Sequence, residues 1–350
     1  NIYKNLRSCG KRQHASSITR TTGTQPAPTT IITNSENDTY LKIRNEARTA
    51  IQDEPLITPL LQSTILSSSA HNFATLIAKI VSSRLFLHSS TASPFTLNTV
   101  TKIIKDAMES DELEYGYSMA EATRLDLLAC KRRDPACLTL LEAVCFYKGF
   151  AALVCHRAAR RAWGKKVTAS NDAMTKGKNT RLVSLWLQSQ SSAAFGVDIH
   201  PCAEIGVGVF FDHGTGVVIG ETAKVGHNCT ILHDVTLGGT GKEIGDRHPK
   251  VGNNAMIGAG TKILGNLTIG HRSKIGAGSL VLISVPNGAT AVGVPAKIIG
   301  YAQEKRPGSI VDGSLTQVSL HKRNESNASM QRNISELSFP TMLHDVTLGG

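Results

Sequence analysis

Two polar clusters in the second half of the chain contain residue types that could move a proton. Asp198 lies fifteen residues before His213, which follows Asp212, and a second cluster combines Asp246, Arg247 and His248. A carboxylate beside an imidazole fixes the tautomer of the ring and raises its basicity, as a general base requires. An arginine can hold a carboxylate through two parallel hydrogen bonds. The alternative is that these are solvated turn residues, and the spacing alone leaves both interpretations open.

The apolar residues around these clusters recur with a period of six. Counting in sixes gives one run and, after an interruption, a second: Ile199, Ile205, Phe211, Val217, Ala223, Cys229 and Val235, then Val251, Ile257, Ile263, Ile269, Ile275 and Val281. This period is typical of a β-helix, in which three short strands make one triangular coil of about eighteen residues. Asp198 and His213 should therefore lie within about one turn of each other, in one chain or across two copies.

The interruption in this repeat predicts an extruded loop. Val235 and Val251 are sixteen residues apart, two periods plus four, so Gly239–Pro249 must leave the coil. Loops on a rigid scaffold often carry function, and this one carries Arg247 and His248.

The chain before the repeat has the apolar spacing of α-helices from about Tyr40 to Gln190. Breaks are predicted at Ser89–Phe95 and at Asp134-Pro135, because proline restricts helix continuation. The expected fold class is α+β, with an N-terminal α-helical domain over residues 36–195 and a C-terminal left-handed parallel β-helix of hexapeptide repeats over 196–304. The polar, lysine-rich residues 164–180 are predicted to form a surface insertion.

The composition narrows the function classes. The net charge is +11, but the basic residues are scattered and aromatic residues are only 5%, so no nucleic-acid partner is expected. The charge suits an enzyme that handles an anionic cofactor. Seven cysteines without a CxxC pair favour a reducing compartment. No apolar run is long enough to cross a membrane, so no membrane association is expected.

The two ends of the chain differ in composition from the rest. Residues 1–35 carry five basic residues and no acidic one, which predicts an organelle transit peptide for a plastid or mitochondrion. A disordered tail is the alternative, with a cytoplasmic location. Residues 305–350 are rich in Ser and Asn and are predicted to be disordered. Their last eight residues repeat Leu232–Gly239 letter for letter, which favours a small duplication or a gene-assembly artefact over a second site.

Several longer motifs resemble those of serine acetyltransferases. They are Val197-Asp-Ile-His-Pro, Phe211-Asp-His-Gly-Thr-Gly-Val-Val-Ile-Gly-Glu-Thr-Ala, Val235-Thr-Leu-Gly-Gly-Thr-Gly-Lys-Glu-Ile-Gly-Asp-Arg-His-Pro-Lys, Arg133-Asp-Pro-Ala-Cys, Tyr147-Lys-Gly-Phe and Gly293-Val-Pro-Ala-Lys. The resemblance covers roughly Tyr40 to Lys305. It implies acetyl transfer from acetyl-CoA to the hydroxyl of L-serine, giving O-acetyl-L-serine for cysteine biosynthesis.

The resemblance also implies roles for individual residues. His213 corresponds to the general base, and Asp198 to the carboxylate that orients it. The residues implied to hold serine are Asp134, Asp212, Arg247 and His248. The residues implied to contact coenzyme A are Gly239, Thr240, Ala259 and Ala277. Acetyl-CoA is then a co-substrate, with no tightly bound cofactor and no metal.

The family further implies a homotrimer or a dimer of trimers, and a partner in O-acetylserine sulfhydrylase. The C-terminal tail of the family often ends in Ile for docking to that partner, whereas this chain departs from the pattern and ends in Gly349-Gly350. Two other functions stay open. One is acetylation of a different hydroxyl or amine, and the other is a γ-type carbonic anhydrase with three histidines around zinc, drawn from His213, His227, His233 and His248.

Overall fold

The computed structural model describes residues 35–87, 95–163, 180–301 and Gly308 of the 350-residue chain, all within one compact unit. Residues 1–34 of the predicted transit peptide and residues 164–179 of the predicted insertion lie outside the described residues. Of the predicted disordered tail, the structure describes Gly308 alone, which is buried and donates its N–H to the Asn254 carbonyl at 2.9 Å. None of the described helices is both long and apolar enough to cross a membrane.

The first half of the described chain is helical, as predicted. Its elements are α1 (Glu36–Asp53), a 3₁₀ helix (Pro55–Ile57), α2 (Thr58–Ser63), α3 (Phe73–Leu87), α4 (Leu97–Met108), α5 (Met119–Arg133), α6 (Leu140–Phe146), α7 (Lys148–Ala162) and α8 (Arg181–Phe195). Side-chain oxygens of Ser35, Thr96, Ser118 and Thr139 accept backbone N–H groups at the starts of α1, α4, α5 and α6. Helix α5 ends just before Asp134-Pro135, at the predicted break.

The second half is a parallel β-helix, which confirms the predicted fold class. Its strands are β1 (Val197–Ile199), β2 (Glu204–Ile205), β3 (Phe210–Phe211), β4 (Val217–Ile219), β5 (Lys224–Val225), β6 (Thr230–Ile231), β7 (Thr236–Gly238), β8 (Lys250–Val251), β9 (Met256–Ile257), β10 (Lys262–Leu264), β11 (Thr268–Ile269), β12 (Lys274–Ile275), β13 (Leu280–Val281), β14 (Ala289–Gly293) and β15 (Ala296–Tyr301). They form three faces: β1-β4-β7-β10-β13, β11-β8-β5-β2, and β15-β14-β12-β9-β6-β3, and all neighbouring strands are parallel except β14 and β15, which are antiparallel.

Two corners of this prism carry the polar clusters. Corner A consists of the turns that join the third face to the first, beginning with Asp212–Gly216 between β3 and β4. Corner B consists of the turns that join the first face to the second, and it includes the predicted loop Gly239–Pro249 between β7 and β8.

The register of the coil differs from the predicted hexads in one segment. Ile199 pairs with Ile219 rather than with Val217, and Ile219 pairs in turn with Leu237. The step from Phe211 to Ile219 is therefore eight residues, so the turn at corner A carries two extra residues that the count in sixes did not detect. The positions predicted for this segment, Val217 to Val235, lie two residues before the stacked ones. They are buried as well, which is why the pattern concealed the slip.

Buried charged side chains join the helices to the coil. Arg157 on α7 makes an ion pair with Asp126 on α5 at 2.7 Å, and it also donates to the carbonyls of Ile205 and Gly206. Arg133 donates to the carbonyls of Cys229 and Gly208, each at 2.9 Å. Because these coil carbonyls accept hydrogen bonds from guanidinium groups, the C-terminal end of α5 and the second half of α7 are held against the first coils.

Candidate active site

The turn at corner A presents His213 to the outside. His213 has φ of 55°, and the Gly214 N–H donates to the Asp212 carbonyl at 2.6 Å, which closes the turn tightly. The His213 side chain is 75% exposed, whereas that of Asp212 is 17% exposed. The imidazole Nε2 lies 3.9 Å from Asp212 Oδ1, and the ring meets the His233 ring edge-on at 5.9 Å between centroids. An exposed imidazole on a rigid turn is well placed to act on a bound molecule.

The start of helix α7 packs directly against this turn. A Cβ on Gly149 would lie 2.3 Å from the Phe211 carbonyl oxygen, so only glycine allows this approach. The Lys148 ammonium group donates to the Thr215 hydroxyl on the other side of His213. The two extra residues of the corner A turn are therefore held in place by a helix.

Asp134 lies at the junction between α5 and α6, with both carboxylate oxygens bonded. Its Oδ1 accepts the Ala136 N–H at 2.8 Å, and its Oδ2 accepts the Tyr147 hydroxyl at 2.6 Å. The preceding residue, Arg133, anchors this position to the coil through its bonds to the coil carbonyls.

The carboxylates of Asp134 and Asp212 belong to one electrostatic cluster. Burial raises the pKa of Asp212, and the nearby charge of Asp134 raises it further, while His213 and His233 act in the opposite direction. Two carboxylates close together favour the binding of a cation between them. Corner A thus combines a possible base with a site for a positively charged group.

Asp198 lies on the first face near the same turn, but it is not bonded to His213 in this structure. Its Oδ1 accepts the Gln188 side-chain N–H from helix α8 at 2.7 Å. The neighbouring Val197 lies beneath the turn, since a Cβ on Gly214 would be 3.1 Å from Val197 Cγ2. The predicted role of Asp198 in orienting His213 therefore stays a prediction.

Arg247 and His248 lie at corner B, where Thr222 holds both. The Thr222 hydroxyl accepts the backbone N–H groups of Arg247 and His248, each at 3.1 Å, and lies 2.9 Å from His248 Nδ1. The His248 ring occupies the space above Gly220, where a Cβ would be 2.0 Å from Nε2. Burial and the charge of Arg247 lower the pKa of His248, which favours the neutral ring. The Arg247 guanidinium donates to Glu221 at 2.9 Å and is partly exposed.

The residues implied to contact coenzyme A fall on both corners. Ala259 and Ala277 lie at corner A in successive coils beyond His213, and their turns are stacked by backbone hydrogen bonds such as Gly278 N–H to the Ala259 carbonyl at 2.7 Å. Gly239 and Thr240 begin the loop at corner B. The turn Leu232–Val235, which carries His233 and Asp234, lies between these two coils and the turn of His213.

The structure divides the predicted site residues into two groups. Asp212 and His213 lie in the turn at corner A, and Asp134 is near enough for its charge to raise the pKa of Asp212, whereas Arg247 and His248 lie at corner B. A strand of three residues separates these corners, which corresponds to about 10 Å at the usual rise per residue. The predicted general base therefore lies at corner A, and the residues predicted to bind the substrate carboxylate lie at corner B.

Sequence reasoning missed the side chains that hold these groups in position. They are Tyr147 and Gly149 at corner A, Gln188 beside Asp198, and Glu221 and Thr222 at corner B. One of the motifs that resemble serine acetyltransferases includes Tyr147 and Gly149, and another includes Glu221 and Thr222. Membership in these motifs was the only feature of the sequence that could have identified these residues. Among the described residues, no three His, Cys, Asp or Glu side chains form a cluster of the kind that holds a metal ion.

The fold and the repeat define the class of protein. Residues 248–282 match the sequence profile described as "Bacterial transferase hexapeptide (six repeats)", and residues 39–155 match the profile "Serine acetyltransferase, N-terminal". The serine acetyltransferase of Haemophilus influenzae is 39% identical over 271 residues, which cover 77% of this chain and 92% of that protein. The chain belongs to the serine acetyltransferase family.

Plant relatives are similarly close. The Arabidopsis thaliana protein "Serine acetyltransferase 3, mitochondrial" is 41% identical over 79% of this chain, which spans 66% of the length of that relative. The chloroplastic "Serine acetyltransferase 1" of the same plant is 41% identical over 77% of this chain and 78% of its own length.

Solved structures share the whole architecture. The serine acetyltransferase of Vibrio cholerae has a TM-score of 0.70 at 37% identity, over 80% of this chain and 99% of that chain. The soybean enzyme complexed with serine has a TM-score of 0.67 at 41% identity, over 76% of this chain and 100% of that chain. The Brucella abortus enzyme in complex with coenzyme A has a TM-score of 0.63 at 39% identity, over 75% of this chain and 95% of that chain.

Proposed function

We propose that this protein transfers the acetyl group of acetyl-CoA to the hydroxyl of L-serine, giving O-acetyl-L-serine and CoA for cysteine biosynthesis. The observation that carries this proposal is the exposed His213 on its supported turn, beside the two carboxylates of Asp134 and Asp212. Support also comes from family members whose structures contain serine or coenzyme A.

His213 acts as the general base in the proposed reaction. Its imidazole takes the proton of the serine hydroxyl while the serine oxygen attacks the carbonyl carbon of the thioester. The tetrahedral intermediate then collapses, the carbon–sulfur bond breaks, and the imidazolium returns the proton to the CoA thiolate. General-base assistance of this kind contributes about 10²–10⁴-fold to the rate.

The carboxylates at corner A receive the ammonium group of serine, and the groups at corner B receive its carboxylate. Asp134 and Asp212 supply the negative charge. The Arg247 guanidinium, beside His248, donates to Glu221 and to the Gly245 carbonyl in this structure, and it binds the substrate carboxylate by turning two parallel N–H donors toward it. Asp198 orients His213 once the substrates are bound, which requires its carboxylate to exchange Gln188 for the imidazole or to act on a neighbouring copy.

Because corners A and B are separated within one chain, the complete site is proposed to form between two copies. Corner A of one prism then faces corner B of the next, which closes into a homotrimer, and the helical regions join two trimers. The pantetheine arm of acetyl-CoA runs along Ala259 and Ala277 of one copy, and Gly239 and Thr240 of the other copy complete its groove. No tightly bound cofactor is needed for this chemistry.

The location and the protein partner also belong to the proposal. The acid-free residues 1–35 and the mitochondrial and chloroplastic relatives support an organelle over the cytoplasm. Binding to O-acetylserine sulfhydrylase stays a prediction, since the C-terminal residues that would dock lie outside the described residues.

A thiol-release assay tests the function. Purified protein is given acetyl-CoA with L-serine, D-serine, homoserine or a galactoside in parallel, and free CoA is measured. L-serine is expected to be the preferred acceptor. Preference for another acceptor would contradict the substrate assignment, and absence of acceptor-dependent release would contradict the transferase.

A further inference from the structure

We propose that Tyr147 is a positioning residue for the amino-group site, and that its hydroxyl sets the orientation of the Asp134 carboxylate that receives the substrate ammonium. This inference rests on the proposed function, because it assumes that Asp134 binds the amine of serine. It assigns a role in the reaction to the residue just before helix α7.

The Asp134 carboxylate is fixed by one donor on each oxygen. The Tyr147 hydroxyl donates to Oδ2 at 2.6 Å, and the Ala136 N–H donates to Oδ1 at 2.8 Å. A carboxylate oxygen accepts through two lone pairs, so each oxygen keeps one for a substrate N–H. The two donors lie on different oxygens, and together they determine the plane of the carboxylate and the direction of its remaining lone pairs.

The backbone of Tyr147 is itself held firmly. Its N–H donates to the Ala143 carbonyl at 3.2 Å, and its carbonyl accepts the Ala151 N–H at 3.2 Å and the Arg84 guanidinium at 3.3 Å. The hydroxyl therefore projects from a fixed point, and Asp134 is oriented by a residue that does not depend on the substrate.

The same segment also contacts the turn that carries His213. Two residues after Tyr147, Gly149 lies against the Phe211 carbonyl, and Lys148 donates to Thr215. Residues 147–149 thus contact both Asp134, in the proposed ammonium site, and the residues that flank the proposed base in its turn. In serine the amine and the hydroxyl are on adjacent carbons, so their receptors must be held at one separation, and this segment supplies that constraint.

A phenol suits this position better than a charged donor. Burial and the hydrogen bond to Asp134 raise the pKa of Tyr147, so the side chain is a neutral donor at physiological pH. A neutral donor orients the carboxylate without cancelling its charge, whereas a lysine there would compete with the ammonium group. The hydroxyl also offsets part of the repulsion between Asp134 and Asp212.

The test is Tyr147→Phe, which removes one oxygen atom and keeps the ring. Without this donor the Asp134 carboxylate can turn away from the substrate ammonium, and weakening of one hydrogen bond to a charged group corresponds to about tenfold in affinity, so the KM for serine should rise about tenfold. The kcat should stay within about threefold, and the KM for acetyl-CoA and the melting temperature should be nearly unchanged. An unchanged serine KM, or a fall in kcat alone, would overturn the inference.

A double-mutant cycle identifies the partner. In an Asp134→Asn background, Tyr147→Phe should have little further effect on the serine KM, because the carboxylate that the hydroxyl orients is gone. A full additional tenfold effect would show that Tyr147 acts elsewhere and would overturn the inference.

Tyr115→Phe is the matched control. It also removes a tyrosine–carboxylate hydrogen bond, from Tyr115 to Glu204 at 2.9 Å, but on the second face of the coil. It should leave both KM values unchanged, and a shift in serine KM equal to that of Tyr147→Phe would overturn the inference. If the wild-type protein does not acetylate serine at all, the proposed function itself fails, which is a separate outcome.

Discussion

The two corners of the prism present their functional groups in opposite ways. At corner A, the five-residue turn Asp212–Gly216 is tight, closed by its own backbone and packed against the start of helix α7. At corner B, the eleven-residue loop Gly239–Pro249 is exposed from Thr240 to Asp246, and it is held mainly where it returns to the coil. There the Thr222 hydroxyl binds the backbone of Arg247 and His248.

This difference matches the tasks proposed for the corners. A base must be placed to within a fraction of an ångström of its proton, which backbone packing achieves. A group that grips the substrate carboxylate must let the substrate enter and leave, and a loop anchored at one end permits this. Damage to the corner A turn that carries His213 should therefore affect turnover most, and damage at corner B should affect serine affinity most.

The largest effect is expected from removing the base at corner A. His213→Ala should lower kcat by about 10²–10⁴-fold, the usual contribution of general-base assistance. The fold should be retained, because the side chain is 75% exposed, and circular dichroism checks this. Turnover within a few-fold of the wild type would contradict the role of His213.

The next largest effect should follow from separating α7 from the turn. In Gly149→Val, the new Cβ would start 2.3 Å from the Phe211 carbonyl oxygen, so the helix or the turn must move. Overpacking of this kind costs about 1–3 kcal/mol of stability, and displacement of His213 should lower kcat by about tenfold or more. Steady-state assays and thermal unfolding measure the two consequences.

Gly241→Ala is the matched change at corner B. Within the described part of the chain, no heavy atom other than those of its two chain neighbours lies within 4 Å of the added methyl group, although the φ of 77° makes alanine strained by about 1 kcal/mol. The kcat should stay close to that of the wild type. If Gly149→Val and Gly241→Ala lower kcat by the same factor, the proposed difference between the two corners is contradicted.

A smaller effect, confined to affinity, is expected from Arg247→Lys. Lysine keeps the charge but lacks the planar pair of donors, so the serine KM should rise about tenfold, the usual strength of one charge-assisted hydrogen bond. The KM for acetyl-CoA should hold. If the KM for acetyl-CoA rises and the KM for serine does not, Arg247 contacts coenzyme A rather than serine.

The smallest effect is expected from Thr222→Val. Valine has the same shape without the hydroxyl, so the backbone N–H groups of Arg247 and His248 lose their acceptor. Stability should fall by about 1 kcal/mol, and the serine KM should rise a few-fold. Thr222→Ser should restore both values, and failure of serine to do so would point to the methyl group rather than the hydroxyl.

The sequence predicted the architecture because hexapeptide periodicity and helical spacing are local patterns. It did not predict the two extra residues of the corner A turn, since both Val217 and Ile219 are apolar and buried, and either could have been the stacked residue. The extruded loop was predicted because it interrupts the six-residue repeat over many more residues than the corner A turn does. The slip in register thus coincides with the residues proposed to carry the chemistry.

The supporting contacts were beyond the reach of sequence patterns. Tyr147 and Asp134 are thirteen residues apart across a helix, and Thr222 and His248 are twenty-six apart in successive coils. Nothing in a single sequence reports such pairings. The assignment of the site residues came from the resembling motifs, and the division of these residues between two corners came from the structure.

Mixing two inactive variants tests the central claim most directly, namely that corner A of one copy works with corner B of another. His213→Ala lacks the base, and Arg247→Ala lacks the group that binds the substrate carboxylate, so each alone should have little activity at a serine concentration far below the KM. When the two are unfolded together, refolded at equal amounts and assayed for acetyl transfer to serine, about a quarter of the shared sites should combine an intact His213 with an intact Arg247. Recovery of about a quarter of wild-type activity is therefore expected, and a mixture no more active than its separate components would contradict the shared site.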